Sequence, residues 1–347
     1  MTLVAAADPF DPVPGAWRGF RVTTTCTFPR QGAVQAWIPI PSFTEASWMK
    51  PRDSVAEGNA AVIPLLRSPA PSVPAMVHAR WPSGFPEDGA QRTLTVRSWV
   101  YTRDLAVDLT RPGDPAPLSA ADRARYLAPT TYIPTDGIVK ETADKITAGA
   151  TNDLEKARRI YAWVVENTYR KPTTRGCGLG NITFLLETGD LGGKCADING
   201  LMVGLARASG IPARDLYGIR VAPSRFGYKS LGANSSTITK AQHCRAEVYL
   251  ADYGWVPIDP ADVRKVMLEE PPGNLPPDNP KVVDARETLF GAWEGNYVAF
   301  NDAADVALPG SNGKPVPFLM YPQAEVDGER LDSLDAATFV YEITSAV

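Results

Sequence analysis

One cysteine of the sequence stands where a thiol nucleophile could be activated. Cys195 follows Gly192, Gly193 and a lysine, and it directly precedes a segment with helical periodicity. A thiol at a helix start meets unpaired backbone N–H groups and the positive end of the helix dipole, and both favour the thiolate. We therefore predict that Cys195 is a nucleophile and that its backbone N–H is an oxyanion donor. The two glycines are expected to leave room for a substrate backbone.

Histidine is scarce in this chain, which narrows the choice of a general base. The 347 residues include 2 histidines, His78 and His243. His78 lies in a proline-rich segment far upstream, whereas His243 follows Cys195 and is itself followed by Asp259. A carboxylate can fix the tautomer of an imidazole base and stabilise the imidazolium that forms. The order cysteine, histidine, aspartate is the one that a thiol acyl-transfer enzyme needs, and we predict these three as the catalytic residues.

The segment after Cys195 has the apolar spacing of one helical face. The spaced residues are Ile198, Leu201, Met202 and Leu205. Gly210 is placed to stop the helix, and Pro212 cannot continue it. We therefore predict a helix with Cys195 at its N-cap or in its first turn, and with Asp197 serving the helix dipole.

Residues 241–259 read as a β-hairpin with one turn near Tyr253. The first strand alternates, so that one face is apolar and expected in the core, and the other is polar or faces a cleft. The apolar set is Cys244, Ala246, Val248 and Leu250, and the other set is His243, Arg245, Glu247 and Tyr249. If paired residue numbers sum to an even value, His243 and Asp259 share a face of the hairpin. We predict such a register.

Three short motifs carry a resemblance to a known family. They are Gly193 to Asp197 around the cysteine, His243 with the following Ala246 to Tyr249, and Gly254 to Pro260. Their types and order over roughly residues 130–266 resemble the transglutaminase-like superfamily. The resemblance implies a papain-like core with Cys195 as nucleophile, His243 as base and Asp259 as orienting residue. Because the calcium-site features of animal transglutaminases are not evident, it does not imply calcium activation.

The superfamily includes protein crosslinkers, peptidases, deglycosylating amidases and inactive members, so the resemblance leaves the reaction open. We expect a peptide or protein substrate and favour hydrolysis of an amide bond, by a peptidase or amidase, over amine transfer to a glutamine side chain. A catalytically silent peptide-binding domain is the third alternative. Tyr169 and Asn181 are candidate oxyanion donors by residue type. Trp255 and Trp293 are candidates for a substrate groove, with core packing as the alternative.

The four cysteines are Cys26, Cys177, Cys195 and Cys244. A zinc site made of Cys177, Cys195, His243 and Cys244 is rejected, because no C-x₂-C pair is present and His243 and Cys244 point to opposite faces of a strand. No metal and no cofactor are therefore expected. Cys177 is either an incidental loop cysteine or a thiol close enough to the nucleophile to be its redox partner.

Composition excludes some classes of function and suggests a compartment. The formal net charge is −4, and no block of lysine and arginine suggests nucleic-acid binding. No apolar run approaches membrane-spanning length. The first residues resemble the small-residue end of a signal peptide, so we expect an exported, periplasmic protein. The sequence leaves the oligomeric state open.

We expect an α+β fold with four regions along the chain. They are a processed or flexible N-terminus at 1–15, a β-rich region at 16–115, a transglutaminase-like catalytic core at 130–265, and a C-terminal extension at 266–347. In the core, the nucleophile helix should pack on an antiparallel sheet. The predicted strand at 338–344 is a candidate to return to the N-terminal sheet.

Overall fold

A computed structural model describes residues 9–44, 46–67 and 73–347 of the chain. The predicted end of a signal peptide, in residues 1–8, lies outside the described residues. The N-terminal region is built from strands, as expected. They are β1 (Arg18–Phe28), β2 (Val34–Pro39), β3 (Met49–Gly58), β4 (Leu65–Leu66), β5 (Met76–Trp81), β6 (Arg92–Thr102) and β7 (Leu105–Ala106).

The central region brings the helices and the strands that carry the motifs. Its helices are α1 (Ala120–Leu127), α2 (Gly137–Thr147), α3 (Asp153–Asn167), α4 (Ile182–Thr188), α5 (Cys195–Ala208), α6 (Pro260–Glu269) and α7 (Pro280–Thr288), with a short 3₁₀ helix at Lys229–Leu231. Its strands are β8 (Tyr169–Arg170), β9 (Gly192–Gly193), β10 (Ala213–Arg220), β11 (Gln242–Leu250) and β12 (Gly254–Ile258). None of the helices in the described residues is long and apolar enough to cross a membrane.

The chain ends in short strands that return to the earlier regions. They are β13 (Ala292–Trp293), β14 (Tyr297–Asn301), β15 (Ala304–Val306), β16 (Val316–Phe318), β17 (Gln323–Val326), β18 (Glu329–Arg330) and β19 (Val340–Ala346). Strand β19 pairs with β1 in the order β19-β1-β6-β3, as the sequence suggested. Strand β17 joins β2 in the order β18-β17-β2-β5-β4, and β14 completes the central sheet. The C-terminal extension therefore contributes strands to both the N-terminal region and the core.

The central sheet has the order β12-β11-β10-β14 and is antiparallel throughout. Helix α5 lies against β10 and β11, and all of its residues except Arg207 are buried. The four predicted apolar residues of its face are each at most 1% exposed. Gly210 follows the helix with a φ of +83°, a conformation that glycine adopts without strain. The α+β fold with a nucleophile helix on an antiparallel sheet is thus confirmed.

Candidate active site

Cys195 is the first residue of α5, within the predicted range, and Lys194 is the N-cap. As the first helical residue, Cys195 has a backbone N–H with no intrahelical acceptor. The thiol is 4% exposed and lies at the wall of a cleft of about 660 Å³. His243 lies on the wall of the same cleft. The structure thus brings the predicted nucleophile and the predicted base to one cavity.

Asp197 organises the start of the nucleophile helix. Its Oδ2 accepts a hydrogen bond from the Lys194 N–H at 3.0 Å, and its Oδ1 accepts from the N–H groups of Leu179 and Gly180 at 3.1 and 2.9 Å. Burial raises the pKa of Asp197. Its role therefore exceeds the predicted interaction with the helix dipole, because it also ties the loop before α4 to the start of α5.

The glycines before Cys195 serve the protein's own packing. A Cβ on Gly193 would lie 2.4 Å from the Cβ of Asp197, and one on Gly192 would lie 2.2 Å from the ring of Tyr169. Such distances are too short for real contacts, so both positions require glycine. The expectation that these glycines make room for a substrate backbone is corrected: they make room for Asp197 and Tyr169.

The hairpin has the predicted register. Ala246 pairs with Ile258 and Leu250 with Gly254, so the residue numbers of each pair sum to an even value. Asp259 follows β12 as the N-cap of α6, and its Oδ1 accepts from the Asp262 N–H at 3.1 Å. Nε2 of His243 and Oδ2 of Asp259 are 2.7 Å apart, and both side chains are buried. The predicted side-chain contact between these two residues is confirmed.

Asn199 holds Asp259 from the nucleophile helix, and the sequence analysis missed it. Its Nδ2 donates to Oδ1 of Asp259 at 3.0 Å and to the carbonyl of Cys244 at 2.8 Å. Its Oδ1 accepts from the N–H of Ala261 at 3.1 Å. Asn199 stands one helical turn after Cys195, and that spacing was the available signal, because residues four apart share a helix face.

A second carboxylate and a buried arginine complete the charge network. Arg220 donates to both oxygens of Asp262 at 2.6 Å, and Oδ1 of Asp262 is 3.5 Å from Nε2 of His243. Burial opposes the charged form of Asp262, but Arg220 and then His243 hold its pKa well below the ordinary value. For His243, burial lowers the pKa and Arg220 lowers it too, but Asp262 and Asp259 outweigh them, so that the pKa is raised. The site therefore favours imidazolium, the partner that a thiolate needs.

Two further thiols lie beside Cys195. The side chains of Cys195 and Cys244, followed by the hydroxyl of Tyr321, hold the pKa of Cys177 well below the usual value against the effect of burial. The carbonyl of Cys177 accepts from the Ala196 N–H at 2.9 Å, and its thiol donates to the carbonyl of Gln242 at 3.4 Å. Cys177 is thus a neighbour of Cys195. Cys177, Cys195 and Cys244 therefore form a cluster of interacting thiols.

The described residues contain one cluster of side chains that could hold a metal ion. It consists of His243, Asp259 and Asp262, whose ligand atoms all lie within 4.8 Å of one another. Both carboxylates already have partners, since Arg220 pairs with Asp262 and Asn199 with Asp259. The Arg245 Nε lies 3.8 Å from Asp259 as well. Two buried guanidinium groups at this distance oppose the binding of a cation, so the cluster suits an ionised histidine better than a metal.

The predicted oxyanion donors lie elsewhere. The hydroxyl of Tyr169 donates to Asp190 at 2.7 Å, and the side chain of Tyr169 is 42% exposed. Asn181 is the N-cap of α4 and accepts from the Phe184 N–H at 3.2 Å. Neither residue lines the cleft that holds Cys195. Both expectations are corrected, because each side chain is engaged by its own local structure.

The two tryptophans also lie away from the cleft, and core packing describes them better. The Arg214 guanidinium lies 3.7 Å from the centre of the Trp255 ring, while the Trp293 ring is fully buried. The polar face of β11 behind them is buried too: Glu247 accepts from Arg214 at 2.7 Å and from Trp48 at 3.2 Å. Of that face, His243 lines the cleft, whereas the rest is covered by other parts of the fold.

Comparison with known proteins agrees with this architecture. The sequence profile of the transglutaminase-like superfamily matches residues 140–260, which contain the three motifs. A Haemophilus influenzae protein, itself described as uncharacterized, is 42% identical over an alignment of 275 residues, and the alignment covers 75% of this chain and 73% of that protein. The chain belongs to the transglutaminase-like superfamily.

A solved structure of similar fold covers almost the whole chain. It is a Cytophaga hutchinsonii protein that is provisionally described as a cysteine protease. The two structures share a TM-score of 0.52 at 14% sequence identity, over 96% of this chain and 99% of that one. At this identity the similarity establishes the fold. The similarity in fold therefore extends over the N-terminal and C-terminal strands as well as the central region.

Proposed function

We propose that the protein is a thiol-dependent acyl-transfer enzyme that hydrolyses amide bonds in peptides or proteins. The observation that carries the proposal is the 2.7 Å contact between His243 and Asp259 on a cleft that Cys195 also lines. In a transglutaminase-like fold, this arrangement supports a nucleophile, a base and an orienting carboxylate. The exported location expected from the N-terminus is kept as part of the proposal, and cell fractionation tests it.

The proposed chemistry has two steps. The Cys195 thiolate attacks the carbonyl carbon, a C–S bond forms, and the C–N bond breaks as His243 protonates the departing amine. Water, deprotonated by the now neutral His243, then cleaves the thioester and releases the acid and the thiol. Because Asp259 occupies Nε2 of the imidazole, Nδ1 is the nitrogen that is left to serve the thiol and the water.

Hydrolysis is favoured over amine transfer by the lining of the cleft. Beside its apolar residues, the wall of the cleft includes the amide and hydroxyl side chains of Asn234, Ser235, Thr237 and Thr239. An amine transferase must keep water from its thioester, and polar groups in the wall give water a place to bind. Addition of a primary amine tests this part of the proposal: hydrolysis predicts that the free acid remains the main product.

Electrophilic probes test the whole proposal. Peptide, glutamine-amide and ester probes are incubated with the protein, and adducts are mapped by mass spectrometry. We expect acylation of Cys195, none in Cys195→Ala, slow acylation in His243→Ala, and a reduced rate in Asp259→Asn because that residue only orients the base. A folded protein that forms no adduct with any probe would instead support a silent binding domain.

A further inference from the structure

The cleft beside Cys195 is strongly cationic. Among the described residues that line it, six carry a positive charge and none carries a negative charge. The six are Arg170, Arg175, Lys194, Arg220, Lys240 and Lys265. The chain as a whole has a formal net charge of −4, so this concentration runs against its overall balance. A cleft lined by one sign of charge raises the local concentration of ligands of the opposite sign.

Carboxylates outside the cleft neutralise part of this charge. Arg220 is paired with Asp262 at 2.6 Å, and Arg175 is paired with Asp332 at 2.5 Å on the surface. Arg170 and Lys265 share the single carboxylate of Glu269. Burial, followed by the charge of Arg220, lowers the pKa of Lys265, which is the effect expected where cations crowd together.

Lys194 and Lys240 are different, because neither forms an ion pair within the part of the chain that the structure describes. Lys194 immediately precedes the nucleophile and is half-buried, and Lys240 is exposed shortly before His243. Two uncompensated ammonium groups therefore flank the reacting pair on the two chain segments that carry it. A site that served neutral or basic peptides would gain nothing from this arrangement.

We propose that the substrate is an acidic peptide, with a carboxylate-bearing residue next to the amide bond that Cys195 attacks. The proposal rests on the acyl-transfer function above and adds the chemical class of its substrate. Lys194 and Lys240 would bind the carboxylate, while the paired cations maintain the positive potential of the cleft. In a peptide, the anionic group available next to the reacting carbonyl is the carboxylate of a neighbouring residue, so we infer a carboxylate rather than a phosphate.

A matched pair of probes tests the substrate class. Acetyl-Gly-Glu and acetyl-Gly-Gln vinyl sulfones differ in one charge at nearly equal size, and the second-order rate of Cys195 labelling is measured for each. We expect the glutamate probe to react about tenfold faster at low salt, and the ratio to fall towards one in 1 M salt because mobile ions screen the attraction. Equal rates at low salt would overturn the proposal and leave the acyl-transfer function intact.

Substitution assigns the effect to the two lysines. Lys194→Gln and Lys240→Gln should each reduce the rate ratio by about two- to fivefold, the range of a partly exposed ion pair. Lys194→Arg should keep the ratio, and Lys145→Gln on α2, outside the cleft, should leave it unchanged. If neither Lys194→Gln nor Lys240→Gln changed the ratio of the two labelling rates, the assignment to these lysines would be wrong.

A binding measurement separates this inference from the catalytic proposal. Fluorescein-labelled Gly-Glu-Gly and Gly-Gln-Gly amides are titrated with Cys195→Ala protein, in which no bond can form. Tighter binding of the glutamate peptide supports the acidic substrate class even if no probe labels the thiol, in which case the proposed chemistry fails alone. Equal affinities would overturn the substrate class.

A second and independent observation concerns Gln242, the residue before His243. Gln242 lines the cleft, and its Nε2 is buried with no hydrogen-bond partner among the described residues. A buried amide without a partner costs about 1–3 kcal/mol, so native structures keep few of them. An unpaired donor in the cleft that also holds Cys195 indicates that an acceptor belongs there during the reaction.

We infer that Nε2 of Gln242 is the side-chain donor to the oxyanion, in the role first expected of Tyr169 or Asn181. This inference also rests on the acyl-transfer function. When the Cys195 sulfur bonds to the carbonyl carbon, the π electron pair of the carbonyl moves onto its oxygen. That oxygen would accept from Gln242 and from the backbone N–H of Cys195, as a tetrahedral oxyanion requires.

Two reactions of the same thiol test this role. Gln242→Ala should lower kcat for a peptide substrate about 100-fold with little change in KM, which is the effect of losing one oxyanion donor. Alkylation of Cys195 by iodoacetamide forms no oxyanion, so its rate should stay within about twofold. Gln242→Met keeps the volume and provides a second variant without a donor, and Gln35→Ala in β2 is the matched control.

The outcomes separate oxyanion stabilisation from a structural role. Equal loss of turnover and alkylation in both Gln242 variants would show that the residue only positions the thiol, and unchanged kcat in either folded variant would overturn the inference. If no peptide is turned over by the wild-type protein, the affinity of a peptide aldehyde replaces kcat, because its adduct with Cys195 carries the same oxyanion. An aldehyde affinity that is unchanged in Gln242→Ala would then decide against it.

Discussion

Asn199 allows the contact network behind His243 to be tested without changing a charge. Asn199→Ala removes two donated hydrogen bonds and one accepted bond, which join α5 to Asp259, Cys244 and Ala261. A typical hydrogen bond contributes about 0.5–1.5 kcal/mol, and a buried group left without a partner costs about 1–3 kcal/mol. Since Asn199 is fully buried and water cannot simply replace it, we expect a loss of about 3–5 kcal/mol in the free energy of unfolding.

The same substitution should act on turnover through the orientation of Asp259. That carboxylate would keep its contact with His243 but lose the donor that fixes its other oxygen. We expect kcat to fall about tenfold with KM nearly unchanged, because the interaction acts on the base and not on substrate binding. Urea unfolding followed by circular dichroism gives the stability, and a peptide probe gives the rate.

Asn167→Ala is the matched control for this experiment. The side chain of Asn167 is exposed and donates to the Trp163 carbonyl within α3, so its loss should cost less than about 1 kcal/mol and leave kcat unchanged. If Asn199→Ala behaved like this control in both measurements, the network would not be holding Asp259. A large loss of stability with unchanged kcat would show that Asn199 stabilises the fold but does not act on turnover through Asp259.

Three further predictions concern titration, thiols and the choice of histidine. Burial, opposed by Arg207, raises the pKa of Asp215 to about 7 in the folded protein. In the unfolded chain this carboxyl ionises near pH 4, so between about pH 4 and 7 the unfolded chain binds fewer protons than the folded one. The free energy of unfolding therefore falls as the pH rises from about 4 to 7. Asp215→Asn should remove this fall. The difference between the free energies of unfolding of variant and wild type, measured in urea, should then change by up to about 4 kcal/mol across that pH range, and a constant difference would contradict the prediction. Cys177→Ala should slow the labelling of Cys195 by iodoacetamide at pH 6 several-fold, because it removes a thiol that interacts with Cys195. Cys26→Ala removes a buried thiol of β1 that does not line the cleft, so the labelling rate should stay unchanged. His78→Ala should not affect turnover, since its ring contacts Gln35 and Trp37 in the N-terminal region; if it were as harmful as His243→Ala in folded protein, the assignment of the base would be wrong.

The parts of the site that lie on regular elements could be predicted from the sequence. The helical spacing after Cys195 and the glycine at its end fix where α5 begins and stops. The alternation of apolar and polar residues on both sides of one turn requires that the numbers of paired residues sum to an even value. This register is enough to place His243 and Asp259 on one face of the hairpin. These signals are local, so tertiary contacts had little scope to override them.

The parts that lie on loops could not be predicted in the same way. Tyr169 and Asn181 were selected by residue type, but Asp190 and the first turn of α4 already engage their side chains. Cys177 lies beside Cys195 because Asp197 holds the loop that follows it and the Ala196 N–H donates to its carbonyl, and no periodic pattern reports such contacts. Trp255 was misassigned because a large aromatic residue looks the same in a sequence whether it lines a groove or packs on a buried arginine.

Trapping the acyl-enzyme shows whether Cys195 carries the acyl group, as we propose. Wild-type protein is mixed with an acetyl-Gly-Glu thiobenzyl ester, quenched in acid within the first turnover, and analysed by intact and peptide mass spectrometry. We expect one added acyl mass on the peptide that contains Cys195, its loss on treatment with hydroxylamine, and no such mass in Cys195→Ala. Product release without an adduct on Cys195, or an adduct on Cys177 in its place, would show that Cys195 is not the nucleophile.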